Sequence, residues 1–222
     1  MKKLFLFGIT FCGLLTFAAA QTSPAPADEK YAAGFKKALV QLDSSWTSPA
    51  RMRETANQFE RLANYKKTDW LPRYYHALCL IQFSWSAEPK DREAALKAAE
   101  ASIRTGMTLS PDSCELTALE GYLYQAMILI NPMANGPVYG PKSNITLQRA
   151  ALLDPANPRP PYLLGQNLFF TPEMYGGGME KARPHLEKAK ALFATYKPAS
   201  ELHPNWGQVI CDMILEGKIK KE

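Results

Sequence analysis

The chain has 222 residues, of which 46% are hydrophobic and 21% charged, and its formal net charge is +5. This length is enough for one hydrophobic core or one extended repeat array. The charge is small for the size and forms no basic stripe, which argues against a nucleic-acid partner.

The first twenty residues have the pattern of an export signal. Lys2 and Lys3 precede an uncharged run that ends in Ala18, Ala19 and Ala20. A basic start, an apolar run and a small-residue end predict a signal peptide over residues 1–20 and a periplasmic or secreted protein. A retained anchor is the alternative, but the run is slightly short for a membrane span. Cleavage would leave 24 basic and 21 acidic residues, a net charge of +3, and no integral membrane segment.

The mature chain is predicted to begin with a mobile leader and to continue as one helical-repeat domain. The leader is the polar, Pro-rich stretch 21–28, and the domain covers 29–222. A first helix is predicted from Glu29 to about Asp43. Ser48 as cap and Pro49 in the first turn then open a second helix that runs to about Lys66.

The next two hairpins follow along the chain, the first of them strongly apolar. A helix from Asp69 to about Trp85 is hydrophobic almost all round, which is typical of a buried helix. It is followed by helices at 92–108 and 110–130. Residues 131–142 contain three prolines and two glycines and are predicted to form a long loop rather than a helix. Whether this loop is functional or structural stays open, and Ser143 is predicted to cap the helix after it.

A fourth hairpin and a final helix complete the predicted elements. Its helices are expected at 161–170 and 180–196, joined by the turn 171–178. The last helix, 205–220, mixes apolar and charged residues in a way that suits a cap on a repeat array.

Small residues recur along the chain with a period of 44. Ala33, Ala77, Gly121 and Gly165 are each 44 residues apart. A fixed period in this range indicates stacked helical hairpins, none of which can bury its apolar face alone. We therefore expect Gly121 and Gly165 to lie where two helices touch closely.

The repeat resembles the tetratricopeptide repeat (TPR) family, although its period exceeds the family's usual length of about 34 residues. The matching positions are Ala99, Ile103, Gly106 and Pro111, then Ser143, Leu147, Ala150 and Pro155, and then Ala182, Leu186 and Ala189. The resemblance implies an all-α fold: a right-handed helical-hairpin solenoid of about four TPR-like repeats with a C-terminal capping helix. It also implies a concave groove lined by the first helix of each hairpin.

A second resemblance is to periplasmic helical-repeat proteins of substrate uptake, including the T component of tripartite periplasmic transporters. It is carried by the turn at Tyr175–Gly177 and the helix with Glu180-Lys181-Ala182 and Glu187-Lys188-Ala189. The resemblance implies an accessory role in uptake.

The sequence lacks the motifs of common catalytic, metal and phosphate sites. It has no GxSxG, HExxH or Walker pattern, and His76, His185 and His203 stand apart from one another without ligand-spaced partners. We therefore predict no catalytic residues, no metal site and no cofactor.

Three cysteines follow the predicted signal peptide, namely Cys79, Cys114 and Cys211. An odd number argues against a disulfide framework. A Cys79–Cys114 bridge stays open in an oxidising compartment, and buried free thiols are the favoured alternative.

Tyrosines and amides on the predicted first helices form the candidate binding surface. A tyrosine suits a surface that is partly apolar and partly wet, and an amide on an apolar helix must find a partner. For each tyrosine singly, simple packing between helices is the favoured alternative. The hypothetical groove residues are Tyr74, Tyr75, Gln82, Tyr122, Gln125, Tyr139, Gln166 and Asn167.

Three hypotheses for function follow. The first is an exported, non-enzymatic binding or scaffold module that recognises a protein or peptide partner through the groove. The second is a periplasmic accessory protein of an uptake system that binds a small-molecule ligand. The third is an enzyme with an unrecognised site.

Overall fold

A computed structural model describes residues 26–219, so the predicted signal peptide and most of the leader lie outside the described residues. Within 26–219 the chain is all-α, as predicted, with nine α-helices, one 3-10 turn and no strand. The helices are α1 (Pro26–Asp43), α2 (Pro49–Tyr65), α3 (Leu71–Ser84), α4 (Pro89–Leu109), α5 (Cys114–Ile128), α6 (Pro132–Leu153), α7 (Arg159–Phe170), α8 (Met179–Phe193) and α9 (Gln208–Leu215), and the 3-10 turn is Glu173–Tyr175.

Short polar side chains start several of these helices. The Ser48 hydroxyl accepts a hydrogen bond from the Arg51 amide at 3.4 Å, with Pro49 in the first turn, which confirms the predicted cap of α2. Ser113 caps α5 in the same way. Each such oxygen satisfies an amide that has no partner inside the helix.

The helices pack as consecutive hairpins, with α1 on α2, α3 on α4, α5 on α6 and α7 on α8. Among the first helices, α3 packs on α5 and α5 packs on α7, and α9 packs on α8 and α7. Tyr74 and Gln82 of α3 reach Glu115 and Tyr122 of α5 in the same order, so these helices run parallel. No described helix has the length and hydrophobicity needed to cross a membrane.

The glycines of the 44-residue period lie at close helix contacts, as predicted. A Cβ atom built on Gly121 would lie 2.7 Å from Cγ of Leu147 in α6. The same atom on Gly165 would lie 2.7 Å from Cγ of Leu186 in α8. Both leucines are fully buried, so these contacts set the spacing within two hairpins.

The loop predicted at 131–142 is wrong, because α6 begins at Pro132 and continues through Pro137 and Pro141. Asn131 caps the helix by accepting from the Ala134 amide at 3.2 Å. Gly136 and Gly140 precede the two internal prolines, and a residue without Cβ relieves the clash that normally bars a helix before proline. Pro137 and Pro141 have no N–H, so each leaves the carbonyl four residues earlier without its helix hydrogen bond. Those carbonyls belong to an exposed or half-buried stretch.

Ser143 is therefore not a cap but a buried residue inside α6. Its hydroxyl donates to the Gly121 carbonyl at 2.8 Å. The predicted positions of the last helices also shift, since α8 ends at Phe193 and α9 begins at Gln208. Residues 194–207 form an irregular segment between them, which we call the strap.

The three described cysteines are free and buried, which confirms the favoured interpretation and leaves no Cys79–Cys114 bridge. Burial raises the pKa of the Cys79 thiol above its ordinary range, and it raises the pKa of Cys114 to about 12. These thiols act as small apolar core groups.

Candidate functional site

The strap lies on the α3, α5 and α7 side chains that the sequence proposed as a ligand groove. The Trp206 indole N–H donates to the Tyr74 hydroxyl at 2.8 Å. The Tyr75 hydroxyl donates to the Leu202 carbonyl at 3.0 Å. The Trp206 ring centroid lies 6.2 Å from those of both Tyr122 and Tyr162. The chain's own C-terminal region thus covers much of this surface.

The three predicted tyrosines on α3 and α5 are brought together here, but as buried groups. Tyr74, Tyr75 and Tyr122 are each less than 5% exposed. Burial raises the pKa of all three hydroxyls, for Tyr122 to about 12. They therefore stay protonated and act as hydrogen-bonding packing groups beneath the strap.

Gln82 belongs to the same cluster and lies nearer to solvent. Its side-chain amide donates to the Tyr122 hydroxyl at 3.0 Å, and the Trp85 indole N–H donates to the same oxygen at 3.0 Å. Gln82 also lines a cavity of about 110 Å³ whose other walls are the turn at residues 45–49, Met52 and Ser86.

The other predicted site residues do not join this cluster through any polar contact. Gln125 donates to the Ser143 hydroxyl and the Leu163 carbonyl, which ties α5 to α6 and α7. Asn167 donates to the Asn144 side chain at 2.9 Å.

Gln166 and Tyr139 also stand apart from these contacts. Gln166 faces the Tyr162 hydroxyl, and its own side-chain oxygen is buried without a hydrogen-bond partner in the described structure. Tyr139 stacks on Tyr124 at 5.8 Å, with the Lys142 ammonium over its ring.

A chain of aromatic ring contacts begins at Trp46, which lines the cavity, and reaches solvent at Trp46 and at Trp85. Trp46 is 40% exposed and Trp85 is 39% exposed, both in turns that follow a first helix. Ring contacts run from Trp46 to Trp206 at 6.4 Å, from Trp206 to Tyr122 at 6.2 Å, and from Tyr122 to Trp85 at 5.9 Å. We call Trp46, Trp85, Trp206 and Tyr122 the aromatic platform.

Arg92 holds the turn that carries Trp85. Arg92 donates to the carbonyls of Ser84 and Ala87, which closes the turn that carries Trp85. It also donates to the Leu129 carbonyl at the end of α5. One guanidinium therefore fixes the Trp85 turn against the next hairpin.

A buried ion pair lies under the strap and was missed by the sequence interpretation. Arg159 is fully buried, and its Nε donates to the Glu115 carboxylate at 2.7 Å. A second Arg159 nitrogen, NH2, also donates to Glu115, and it donates to the Tyr196 hydroxyl at 2.6 Å. Burial opposes the charge, but Glu115 raises the pKa of Arg159 and keeps it protonated. The two residues are 44 positions apart, so they occupy equivalent positions in successive repeats. Opposite charges at equivalent positions of two apolar helices were the sequence signal for this ion pair.

Histidines and carboxylates do not form a metal cluster in the part of the chain that is described. His76 is buried, and its Nδ1 lies 2.7 Å from the Ser102 hydroxyl. Burial lowers the pKa of His76. This histidine is a hydrogen-bonded core residue.

Comparison with known proteins identifies one informative likeness. No family model matches the chain, and no curated protein matches it. The structure is similar to that of the HusA haemophore from Porphyromonas gingivalis, with 29% sequence identity and a TM-score of 0.75. The similarity covers 86% of this chain and 96% of the haemophore chain.

Proposed function

We propose that this protein is an exported, non-enzymatic binding protein that carries haem or a related porphyrin on the aromatic platform. The observation that supports it most is the likeness to a haemophore over nearly the whole of both chains. This favours the hypothesis of a small-ligand accessory protein of an uptake system. Export rests on the signal-peptide pattern of residues 1–20.

The platform suits a flat apolar ligand. A porphyrin has two broad apolar faces, and indole rings stack on such faces with a large contact area. Trp46 and Trp85 each keep about two-fifths of their surface free for this contact. The carboxylates of the ligand can stay in water at the edge, which avoids the cost of burying a charge.

The size of the neighbouring cavity indicates whether the ligand would enter it. At about 110 Å³ it is far smaller than the roughly 300–1,000 Å³ typical of sites that enclose a ligand. The macrocycle therefore lies against the platform instead of entering the cavity. Met52 in the cavity wall is 2% exposed and is out of reach of a ligand on the platform, and we propose that stacking supplies most of the binding.

We also propose that the hairpins build the right-handed, TPR-like solenoid that the sequence resembles. The parallel packing of α3, α5 and α7 and the small residues at 44-residue spacing support this architecture. A groove for a protein or peptide partner has less support, because the strap covers Tyr74, Tyr75 and Tyr122. An enzymatic role has the least support, since no catalytic set converges on the platform.

Titration of the purified protein with haemin tests the proposal. We expect a saturable change in the haem absorbance spectrum and quenching of tryptophan fluorescence at the same stoichiometry. Iron-free protoporphyrin should bind with similar affinity, because the platform contacts the ring faces. Failure of both compounds to bind at micromolar concentration would contradict the proposed function. Binding of haemin alone would keep the function and refute stacking as its main source.

A further inference from the structure

Resting on the proposed function, we propose that Tyr74 is a positioning residue for the ligand site, because its hydroxyl orients the Trp206 indole within the aromatic platform. Tyr74 is fully buried and is not exposed to any ligand on the platform. Its effect on binding therefore acts through Trp206.

The strap has little backbone structure of its own to hold Trp206 in place. Between Lys197 and Trp206 one backbone hydrogen bond is found in the described structure, from the His203 amide to the Ser200 carbonyl, and the Gly207 carbonyl accepts from the Cys211 amide of α9. The remaining ties are made by side chains, including the Lys36–Glu201 ion pair at 2.7 Å and the Tyr75 bond to Leu202. The indole orientation accordingly depends on what the indole itself contacts.

A directional chain of hydrogen bonds leads from Trp206 into the core. The indole N–H donates to the Tyr74 hydroxyl at 2.8 Å, and that hydroxyl donates to the Glu115 carboxylate at 3.5 Å. Glu115 is held in turn by Arg159 and by the Asn157 amide at 2.6 Å. Because an indole can only donate and a carboxylate can only accept, the Tyr74 hydroxyl is fixed in both roles.

The backbone conformation at Gly207 also depends on the position of the Trp206 indole. Gly207 has φ of 107°, and a Cβ atom there would lie 3.0 Å from the Tyr162 ring and 3.1 Å from the Phe193 ring. The chain therefore enters α9 pressed against α7 and α8, with the indole turned toward Tyr74. Rotation of Trp206 away from Tyr74 would break the ring contacts that join Trp46 to Tyr122.

The test combines Tyr74→Phe, which removes the hydroxyl and keeps the ring, with Trp206→Phe. We expect Tyr74→Phe to weaken haemin binding about fivefold, the change that corresponds to one neutral hydrogen bond. Trp206→Phe should weaken binding at least as much, and the double variant should bind no worse than Trp206→Phe alone. Additive losses would show that Tyr74 does not act through Trp206 and would overturn the proposal.

Tyr124→Phe is the matched control. It removes a hydroxyl that bonds to Glu120 on the same α5 helix, and Tyr124 makes no contact with the platform rings. We expect it to leave haemin affinity unchanged. An equal loss of affinity in Tyr124→Phe would refute a specific role for Tyr74.

Indole N–H resonances in an ¹⁵N-labelled protein give a readout that needs no ligand. The chain has four tryptophans, and Trp206→Phe assigns the Trp206 signal. In Tyr74→Phe that signal should shift and its proton should exchange faster with solvent, whereas in Tyr124→Phe it should not change. An unaltered Trp206 signal in Tyr74→Phe overturns the positioning role even where haemin binds. Lack of haemin binding by the wild type instead contradicts the proposed function while this readout still stands.

Discussion

Trp46→Ala is the substitution that tests the aromatic platform most cleanly. Trp46 is 40% exposed, and its one ring contact among the described residues is with Trp206 at 6.4 Å. Trp85 is less suitable, because its indole N–H also supports the Tyr122 hydroxyl.

The expected loss follows from the area that a stacked ligand would cover. An indole side chain presents about 250 Å², so the exposed two-fifths of Trp46 is roughly 100 Å². At about 25 cal/mol per Å² this contact contributes roughly 2.5 kcal/mol, or about 70-fold in Kd.

The assay is haemin titration followed by absorbance, with the thermal midpoint of each variant measured in parallel. Tyr65→Ala is the control, because Tyr65 is an exposed aromatic at the far end of α2, about 24 Å from its start. We expect Trp46→Ala to weaken binding about 70-fold and Tyr65→Ala to leave it unchanged. Equal affinities of Trp46→Ala and wild type would refute the platform as the ligand surface.

Three further predictions concern the fold. Gly121→Ala should destabilise the protein by about 1–3 kcal/mol, because its Cβ would overlap Leu147. Gly34→Ala in α1, where the nearest neighbour of the new Cβ would lie at 3.6 Å, should stabilise the protein by about 0.5–1 kcal/mol. Urea unfolding of the two variants compares these free energies. Burial lowers the pKa of His76, so as the pH drops the unfolded chain binds a proton there before the folded chain does. The free energy of unfolding should therefore fall as the pH drops below about 6.5. In unfolding curves measured from pH 7.5 to 5, His76→Gln should show a weaker dependence of this free energy on pH. Burial also raises the pKa values of Cys79, Cys114 and Cys211, so a thiol reagent should label the native protein slowly. The fourth cysteine, Cys12, lies in the predicted signal peptide, so three thiols should react after denaturation of envelope-extracted protein, and four would show that Cys12 is retained.

Local sequence patterns predicted the hairpins because several helices have a clear start and because small residues recur at a fixed period. Ser48 with Pro49, and the small residues at Gly121 and Gly165, carry that information within a few residues of where it acts. The helix over residues 132–142 was not predicted, because the prolines and glycines were each taken to break a helix, without regard to the order in which they follow one another. Glycine before each internal proline removes one steric objection, the clash between the proline ring and the Cβ of the preceding residue.

The site was harder to predict because it depends on contacts between distant parts of the chain. Tyr74, Tyr75 and Tyr122 do lie close together, although buried, but Trp206 meets Tyr74 across 132 positions, and no local pattern indicates that the strap folds back. Trp46 lies in a turn for which no site was predicted, and Trp85, predicted at the end of a helix, lies in the turn that follows α3. The Glu115–Arg159 pair could have been predicted by comparing charged residues at the 44-residue period, because the two residues stand 44 positions apart.

The most direct test of the proposed function is to determine which tryptophans a bound porphyrin touches. Titration of ¹⁵N-labelled protein with diamagnetic zinc protoporphyrin reports on all four indole N–H groups at once through the ring current of the ligand. We predict large shifts for Trp46, Trp85 and Trp206, and a small shift for Trp70, which lies at the start of α3 away from the platform turns. A largest shift at Trp70, or saturable binding that leaves Trp46 and Trp85 unmoved, would contradict the claim that the aromatic platform is the ligand site.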